Sequence, residues 1–361
     1  MNSTTLGMLH VPRDDLQQFI VDIFERVGVT HGDAHTVASA LIAADLEGVS
    51  SHGVGLVPLY VRRIQARSVS PTARPVIVED HGALLTLSAQ HGLGQVSSQT
   101  AVDLCGERAR LHGCCVVAVR DAFHFGAAAY WATGFAARGM IGFALSNTRP
   151  LMPAPGGAQR VVGNNPLAIA FPARDAEPLV VDMAASASAM GRIRLAAKRG
   201  APIPEGWATD AQGRPTVNAE EAIGGMLLPA AGPKGFGIAV AVEMLCAGLS
   251  GGAVAEAVRP LYDQLDEPYD CSHAFMAIDA QRLGGGAGIA ATAARFATSI
   301  RTSRRAPGTE RIYAPGDLER ARRAAAGDGC PLTAEVHAEL VQLGAQLGVH
   351  AAALESSSNQ H

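Results

Sequence analysis

Apolar residues recur at helical spacing near the start of the chain. Leu16, Phe19, Ile20, Ile23, Phe24 and Val27 fall on one face, and Gly28 ends the pattern. A second helix is predicted over 33–46, stopping near Gly48, and a third over 56–65 with Leu56, Leu59, Tyr60 and Ile64 on one side. From Pro75 the texture changes to short β-branched runs. Residues 76–78, 83–87, 114–119, 141–146, 167–171, 179–182 and 274–278 read as strands. Helices are predicted over 94–112, after His124, and over 235–249, the last strongly apolar. The polar, Pro- and Gly-containing section 199–218 reads as an excursion from the core. Val336, Leu340, Leu343 and Leu347 make the end helical again, and 356–361 is expected to fray. Helices thus flank a mixed α/β section. The strands are not spaced as regular βαβ units, which argues against a standard doubly wound sheet.

Length and charge narrow the function classes. At 361 residues the chain can bury a large core and is expected to form two domains. The net charge of -4, with both signs scattered, leaves no nucleic-acid footprint, so no nucleic-acid partner is expected. Charged residues make up only 17%, which suits a compact α/β enzyme with close backbone packing. The first eleven residues lack a basic start and a long apolar core, and the apolar stretch 238–249 is interrupted by Glu243. No signal peptide and no membrane span are therefore expected. None of the six cysteines belongs to a CxxC, so they are expected to be buried, reduced thiols of a cytoplasmic protein. The twelve histidines show no HExxH or other metal spacing, so no metal is expected.

Three glycine-rich turns carry candidate chemistry. His52 sits in Val49-Ser50-Ser51-His52-Gly53-Val54-Gly55, where flanking glycines let a ligand approach the backbone. Histidine is the side chain best suited to pass protons near neutral pH. A second histidine lies on a second such turn, Phe123-His124-Phe125-Gly126. The third run, Gly232-Pro233-Lys234-Gly235-Phe236-Gly237, places a cation at a helix start, where free amides and the dipole attract phosphate. Asp182 ends an apolar strand, either as a cap or as a site residue, and Asn164-Asn165-Pro166 is a turn that can present amides. Taken singly, each feature also fits a surface turn or a cap. The run Gly286 to Ala291 fits GxGxxA, but no second βαβ unit with an acidic residue follows, so it is not read as a dinucleotide fingerprint.

Taken together, these segments resemble the malate/L-lactate dehydrogenase family, which also contains ureidoglycolate dehydrogenase, sulfolactate dehydrogenase, diketogulonate reductase and Δ1-piperideine-2-carboxylate reductases. The resemblance rests on Ser51-His52-Gly53, His124-Phe125-Gly126, Pro153 to Gly157, Gly163-Asn164-Asn165-Pro166 and Asp182-Met183-Ala184. It continues through Ile203 to Trp207, Leu228-Pro229, Gly232 to Gly235 and Pro315-Gly316-Asp317, in family order over nearly the whole chain.

The resemblance implies an α/β fold distinct from the Rossmann type. A helical domain would form from both chain ends, 1–75 with 300–361, and 76–299 would bind NAD or NADP around a mixed, largely antiparallel sheet, with 185–225 as an irregular excursion. It implies a homodimer and hydride exchange with a small carboxylate, either a 2-hydroxy/2-oxo acid or a cyclic imine. By position, His52 and His124 match the family's proton-handling histidines, with Asp182 orienting or relaying. Thr148, Asp182, Met183, Ala184, Lys234, Gly235 and Gly316 match its cofactor contacts. Ser51, Asn165 and Arg149 are candidate substrate contacts. Many members carry an Arg where this chain has Leu56, and Arg149 is the candidate replacement as a carboxylate clasp. Members usually read GTNP where this chain has Asn164. A non-catalytic nucleotide-binding relative is the alternative from a different class; retention of His52, His124 and Lys234 argues against it.

Overall fold

The computed structural model describes residues 8–174, 176–283, 288–351 and 354. Seven strands form one sheet in the order Val76–Asp80, Leu84–Ser88, Cys114–Ala122, Cys271–Ile278, Ile141–Ser146, Leu167–Phe171 and Leu179–Met183. One neighbouring pair, Leu84–Ser88 with Cys114–Ala122, is parallel, and the helix Gly94–His112 makes the crossover that parallel pairing requires. Every other pair is antiparallel. The sheet is therefore mixed and largely antiparallel, as expected. Its central strands are apolar on both faces because helices cover them.

The register sets where the chemistry goes. Cys271–Ile278 comes late in the chain and inserts between two earlier strands, antiparallel to both. Cys271 lies opposite Ala122 and His273 opposite Ser146. On the far side Leu145 pairs with Leu167, and Leu167 with Met183. The loops carrying His124, Thr148, Asn164-Asn165 and Asp182-Met183-Ala184 therefore all leave the sheet at the same end.

A helical layer lies beside that end. Arg13–Arg26 buries Leu16, Phe19, Ile20, Ile23 and Phe24, the face that the spacing predicted. His31–Leu46 is capped by Thr30, whose hydroxyl accepts from the Asp33 amide, and Val57–Gln65 buries Leu59, Tyr60 and Ile64. The C-terminal helix Ala334–Leu347, capped by Thr333, packs so closely on the first helix that a side chain at Gly344 would meet the Phe19 ring. A strand pair not anticipated from the sequence joins the chain ends: Met8–Pro12 runs antiparallel to Gly329–Thr333. Each segment is too short and too mixed to signal a strand without its distant partner.

Two further expectations need correction. Residues 185–225 are not irregular. They contain the helices Met190–Lys198 and Ala219–Gly224 and two short strands of a three-stranded sheet, Ala208–Thr209 and Pro215–Thr216; its third strand, Met226–Leu227, follows directly. Ile193, Ile203, Ala208, Ala219 and Ala222 join Met152, Val162 and Leu227 in a separate apolar cluster. Alanines and widely spaced isoleucines hid this small core. The cysteines are free, but Cys114 is exposed; only the other five are buried. The run Gly286 to Ala291 lies partly outside the described residues, and Gly288–Arg301 is helical. Residues 356–361 also lie outside the described residues. Among the described residues no helix is long and apolar enough to cross a membrane.

Arg63 ties the helical layer to the loop beneath the sheet end. It is fully buried, and its guanidinium donates to the carbonyls of Pro260, Leu261, Asp263 and Glu267 and to the Ser68 hydroxyl, at 2.7 to 3.3 Å. Five N–H donors in a fixed fork can serve that many acceptors, and an ammonium cannot. Arg63→Ala leaves several buried carbonyls without donors, each worth about 1–3 kcal/mol, so we expect a loss of at least about 3 kcal/mol. Arg63→Lys should recover only part of it. Denaturant unfolding of the three proteins measures this, and an Arg63→Ala loss below about 1 kcal/mol would contradict it.

Candidate active site

His52 and His124 come together although 72 positions separate them in sequence. Their rings stack with centroids 5.3 Å apart and planes inclined by 27°. His52 lies on the short 3-10 turn Ser50–His52, directly after the helix His31–Leu46. The next residue must be glycine: a Cβ at Gly53 would overlap the Asp45 carboxylate. Asp45 is buried and accepts the Val54 amide at 2.7 Å, which holds the turn down. Burial pushes the Asp45 carboxyl up to about 7, partly offset by that amide.

The two imidazoles differ in what their ring nitrogens can do. His124 Nδ1 lies 2.7 Å from the Tyr60 hydroxyl and 3.4 Å from the Gly126 amide. An amide N–H can only donate, so the partners assign the lone pair to Nδ1 and the hydrogen to Nε2. Tyr60 in turn accepts from Gln95 Nε2 at 3.2 Å. The Tyr60 hydroxyl also reaches the His124 carbonyl at 3.3 Å, so it is the Gly126 amide that favours the hydrogen on Nε2 of His124. His52 Nδ1 lies 2.9 Å from the Ser51 hydroxyl, which can rotate to donate or accept, so His52 can carry its hydrogen on either nitrogen or on both. Among the described residues no hydrogen bond engages either Nε2. Burial lowers the pKa of His52 below the ordinary 6.5. His124 falls further, through burial and then the neighbouring His52 and His273. Both rings rest neutral at pH 7.

Asp182 and Gly316 line one cleft of about 580 Å³, together with Glu47, Val49, Ala129, Val180, Glu319 and Arg320. Val49 immediately precedes the turn that carries His52. Ala129 lies in the helix following His124, and its amide bonds the Asp182 carboxylate. The cleft thus takes in residues that flank both histidine segments in the chain. The Asp182 side chain reaches its solvent, yet surrounding protein, with Glu47 and Glu319 nearby, pushes its carboxyl up to about 6. Gly316 adopts φ 89°, and the adjacent Pro315 carbonyl accepts from the Val180 amide at 3.2 Å. Met183 is exposed and Ala184 half-buried at the strand end.

Thr148 and Gly163 form a tight knot; a Cβ at Gly163 would overlap the Thr148 hydroxyl. The Thr148 hydroxyl donates to Asn164 Oδ1 at 3.1 Å. Asn165 is a correction. It is fully buried and fully engaged, accepting the Thr148 amide at 2.9 Å and donating to the Ala239 carbonyl and to Glu243 at 2.9 and 2.7 Å. It therefore supports the loop from within and has no group left for a substrate. Lys234 is exposed at the start of the helix Pro233–Glu243, next to Pro233 in the first turn and buried Gly235. No hydrogen bond or ion pair engages it among the described residues. That helix ends sooner than its apolar pattern predicted and widens to π-helical spacing over Met244–Gly248. Arg149 is half-buried, and its charge acts on Tyr262 and Tyr269. Tyr269 packs edge-on against Phe123, the residue before His124.

Several site residues escaped the sequence reading. Tyr60 counted only as part of an apolar helix face, and Glu243 only as an interruption of an apolar run. His273 is fully buried, stacks on Phe125 at 4.3 Å, and bridges Ser146 Oγ and the Phe123 carbonyl at 3.0 and 3.1 Å. Burial holds its pKa at about 4, so it acts as a neutral strut. Tyr60 does carry a signal, since it shares the helix that follows the His52 turn.

The malate/L-lactate dehydrogenase family matches residues 11–341 of this chain. A malate dehydrogenase of Pyrococcus abyssi is 34% identical over 317 residues, covering 86% of each chain. The solved structure of sulfolactate dehydrogenase from Methanocaldococcus jannaschii superposes with a TM-score of 0.90 at 31% identity, covering 95% of this chain and 98% of that one. The structure of Δ1-piperideine-2-carboxylate reductase from Pseudomonas syringae gives a TM-score of 0.84 at 27% identity, over 92% and 99% of the two chains. With the fold, the sheet-end site and these matches in agreement, the chain belongs to the malate/L-lactate dehydrogenase family.

Proposed function

We propose that this chain exchanges a hydride between NAD or NADP and C2 of a small 2-hydroxy or 2-oxo acid, with His52 as the proton donor and acceptor. The observation that carries the reading is the stacked histidine pair, in which Nδ1 of His124 is engaged by Tyr60 and Gly126 while His52 has only the rotatable Ser51 hydroxyl as a partner. Family membership makes the chain a dehydrogenase that works with NAD or NADP. The residues present suit such a cofactor. A free cation, Lys234, stands at a helix start where backbone amides are available to a diphosphate, and the 580 Å³ cleft lined by Asp182 and Gly316 takes in residues flanking both histidine segments. Thr148, Met183, Ala184 and Gly235 complete the set that would hold it. The bound nicotinamide supplies or accepts the hydride, and the protein supplies geometry and protons.

The proton falls to His52 by elimination. His124 holds its hydrogen on Nε2 and could release it only as an anionic ring, or after taking one from Tyr60, whose hydroxyl burial makes still less acidic. It therefore serves as a hydrogen-bond donor to the substrate oxygen. His52 can load a proton at Nε2 and pass it on, with Ser51 adjusting at Nδ1. Arg149 is proposed to hold the substrate carboxylate, supported by its position beside Tyr262 and Tyr269 and the absence of a cation at Leu56. The likeness to a Δ1-piperideine-2-carboxylate reductase keeps a cyclic imine as the second substrate class. The same groups would then protonate nitrogen instead of oxygen. Absorbance of the reduced nicotinamide against a panel of 2-oxo acids and cyclic imines, with both cofactors, tests the whole reading; no turnover on either class would sink it.

His52→Ala should lower turnover about 10²–10⁴-fold with cofactor affinity unchanged. Turnover within threefold of the parent would move the proton role to His124. The pH profile gives the sign. Oxidation needs neutral His52, whose pKa lies below 6.5, so kcat/KM should be flat above that and fall as the pH drops through the lowered value. Reduction should show the reverse. Because Asp182 titrates near 6, Asp182→Asn must leave the limb in place if His52 causes it.

Lys234→Ala should weaken reduced cofactor about 10-fold or more, the usual worth of a charge-assisted bond, and affect the acid substrate less. Fluorescence titration reads this directly, and an unchanged Kd would return Lys234 to the ordinary surface.

Arg149→Lys should raise KM for an acid substrate roughly 10-fold, because an ammonium cannot reproduce the two parallel bonds of a guanidinium. An amide or ester analogue should respond less. Equal effects on acid and neutral analogues would mean that the clasp lies elsewhere.

A further inference from the structure

The helix that presents Lys234 at its start ends in a buried carboxylate. Glu243 is 5% exposed, and among the described residues it forms no ion pair. All of its hydrogen-bonded partners are uncharged donors. Oε1 accepts from Asn147 Nδ2 and from the Ala255 amide, both at 3.0 Å, and Oε2 accepts from Asn165 Nδ2 at 2.7 Å. Burying an anion without a cation is costly, and it persists where several donors converge on it.

The three partners belong to three different loops. Asn147 precedes Thr148, and its Oδ1 accepts the Ser272 amide at 2.7 Å, while Nδ2 also donates to the Ala253 carbonyl at 2.9 Å. Asn165 follows Asn164, stands at φ 24° and holds the Thr148 amide through Oδ1. Ala255, at φ 53°, begins the segment after the π-helical turn. One carboxylate thus fixes both loops that carry Thr148 and Asn164, and it does so from the helix that carries Lys234.

We infer that Glu243 is a positioning residue for the cofactor, setting the Thr148 loop against the Lys234 helix start. This rests on the cofactor reading of Thr148 and Lys234 given above. The carboxylate is needed because it is an acceptor at both oxygens. In Glu243→Gln the amide oxygen serves the Oε1 side best, where two donors converge. The NH₂ then faces the NH₂ of Asn165, and no rotation removes the clash. Asn165 must move, and the Thr148 amide loses its acceptor.

Glu243→Gln should raise the Kd for NADH, read by fluorescence titration, about 10-fold or more, while KM for the acid substrate changes less than threefold. A merely structural role predicts a lower Tm with the Kd unchanged in the folded protein, and a Kd within twofold of the parent would overturn the inference. If Glu243→Gln does not fold, Glu243→Asp keeps both acceptor oxygens one carbon shorter, and the same criterion applies to it. Thr148→Val separates the two claims. If it leaves the Kd unchanged, the cofactor reading of Thr148 fails, and with it the route from Glu243. If it raises the Kd and the Glu243 variants do not, only the positioning role fails.

Discussion

The ladder formed by Cys271–Ile278 is the interaction on which the rest of the structure depends. Until that late strand inserts, Cys114–Ala122 and Ile141–Ser146 have no shared neighbour. Once it is in place, antiparallel pairing on both sides aligns the ends of both strands with its own start. His273 then lies opposite Ser146 and bridges to the Phe123 carbonyl, so the loops bearing His124 and Thr148 are tied through one buried ring. A slip of one residue would turn His273 to the other face of the sheet and break both bonds. The geometry of the candidate site follows from sheet register more than from any local motif.

The irregular backbone at that sheet end has to satisfy its polar groups internally, and the chain does so mainly with uncharged amides. Asn147, Asn165 and Ser146 are all buried and hydrogen-bonded, and Glu243 gathers two of them. Such a network is rigid because each member has only one arrangement that satisfies its neighbours. The contrast with the cleft is sharp. There Glu47, Asp182 and Glu319 line one cavity, burial pushes the Asp182 carboxyl up to about 6, and Arg323 pairs with Glu47. The rigid part holds position, and the cleft retains groups that can change charge.

Much of the fold was legible in the sequence because its signals are local. The face of Leu16, Phe19, Ile20, Ile23 and Phe24 needs no partner to be recognised, and neither do the β-branched runs of the sheet. The glycine-flanked histidines were legible for the same reason: Gly53 and Gly126 mark places where backbone comes close or turns left-handed. What stayed hidden depends on distant partners. Glu243 reads as a flaw in an apolar helix until Asn147 and Asn165 stand beside it. Asn165 looks like an exposed turn residue, although its amide points inward. Tyr60 looks like core, which it is, yet its hydroxyl engages a histidine 64 positions away. The strand pair of the two chain ends and the small core of 185–225 were missed because each half is weak alone.

The neutral histidines bear on how the site would time its proton. A solvent-exposed imidazole is half-protonated near its ordinary pKa whether or not substrate is present. Here burial disfavours the cation on both rings, and each ring, once charged, would further disfavour charge on its stacked neighbour. Negative charge growing on a carbonyl oxygen reverses that balance because opposite charge in a weakly polar site interacts strongly. On the role proposed for His52, its protonation would then be favoured by the event it serves, and little proton would be held when the site is empty. That is an interaction stronger in the transition state than in the free protein, the kind that speeds a reaction without merely tightening binding.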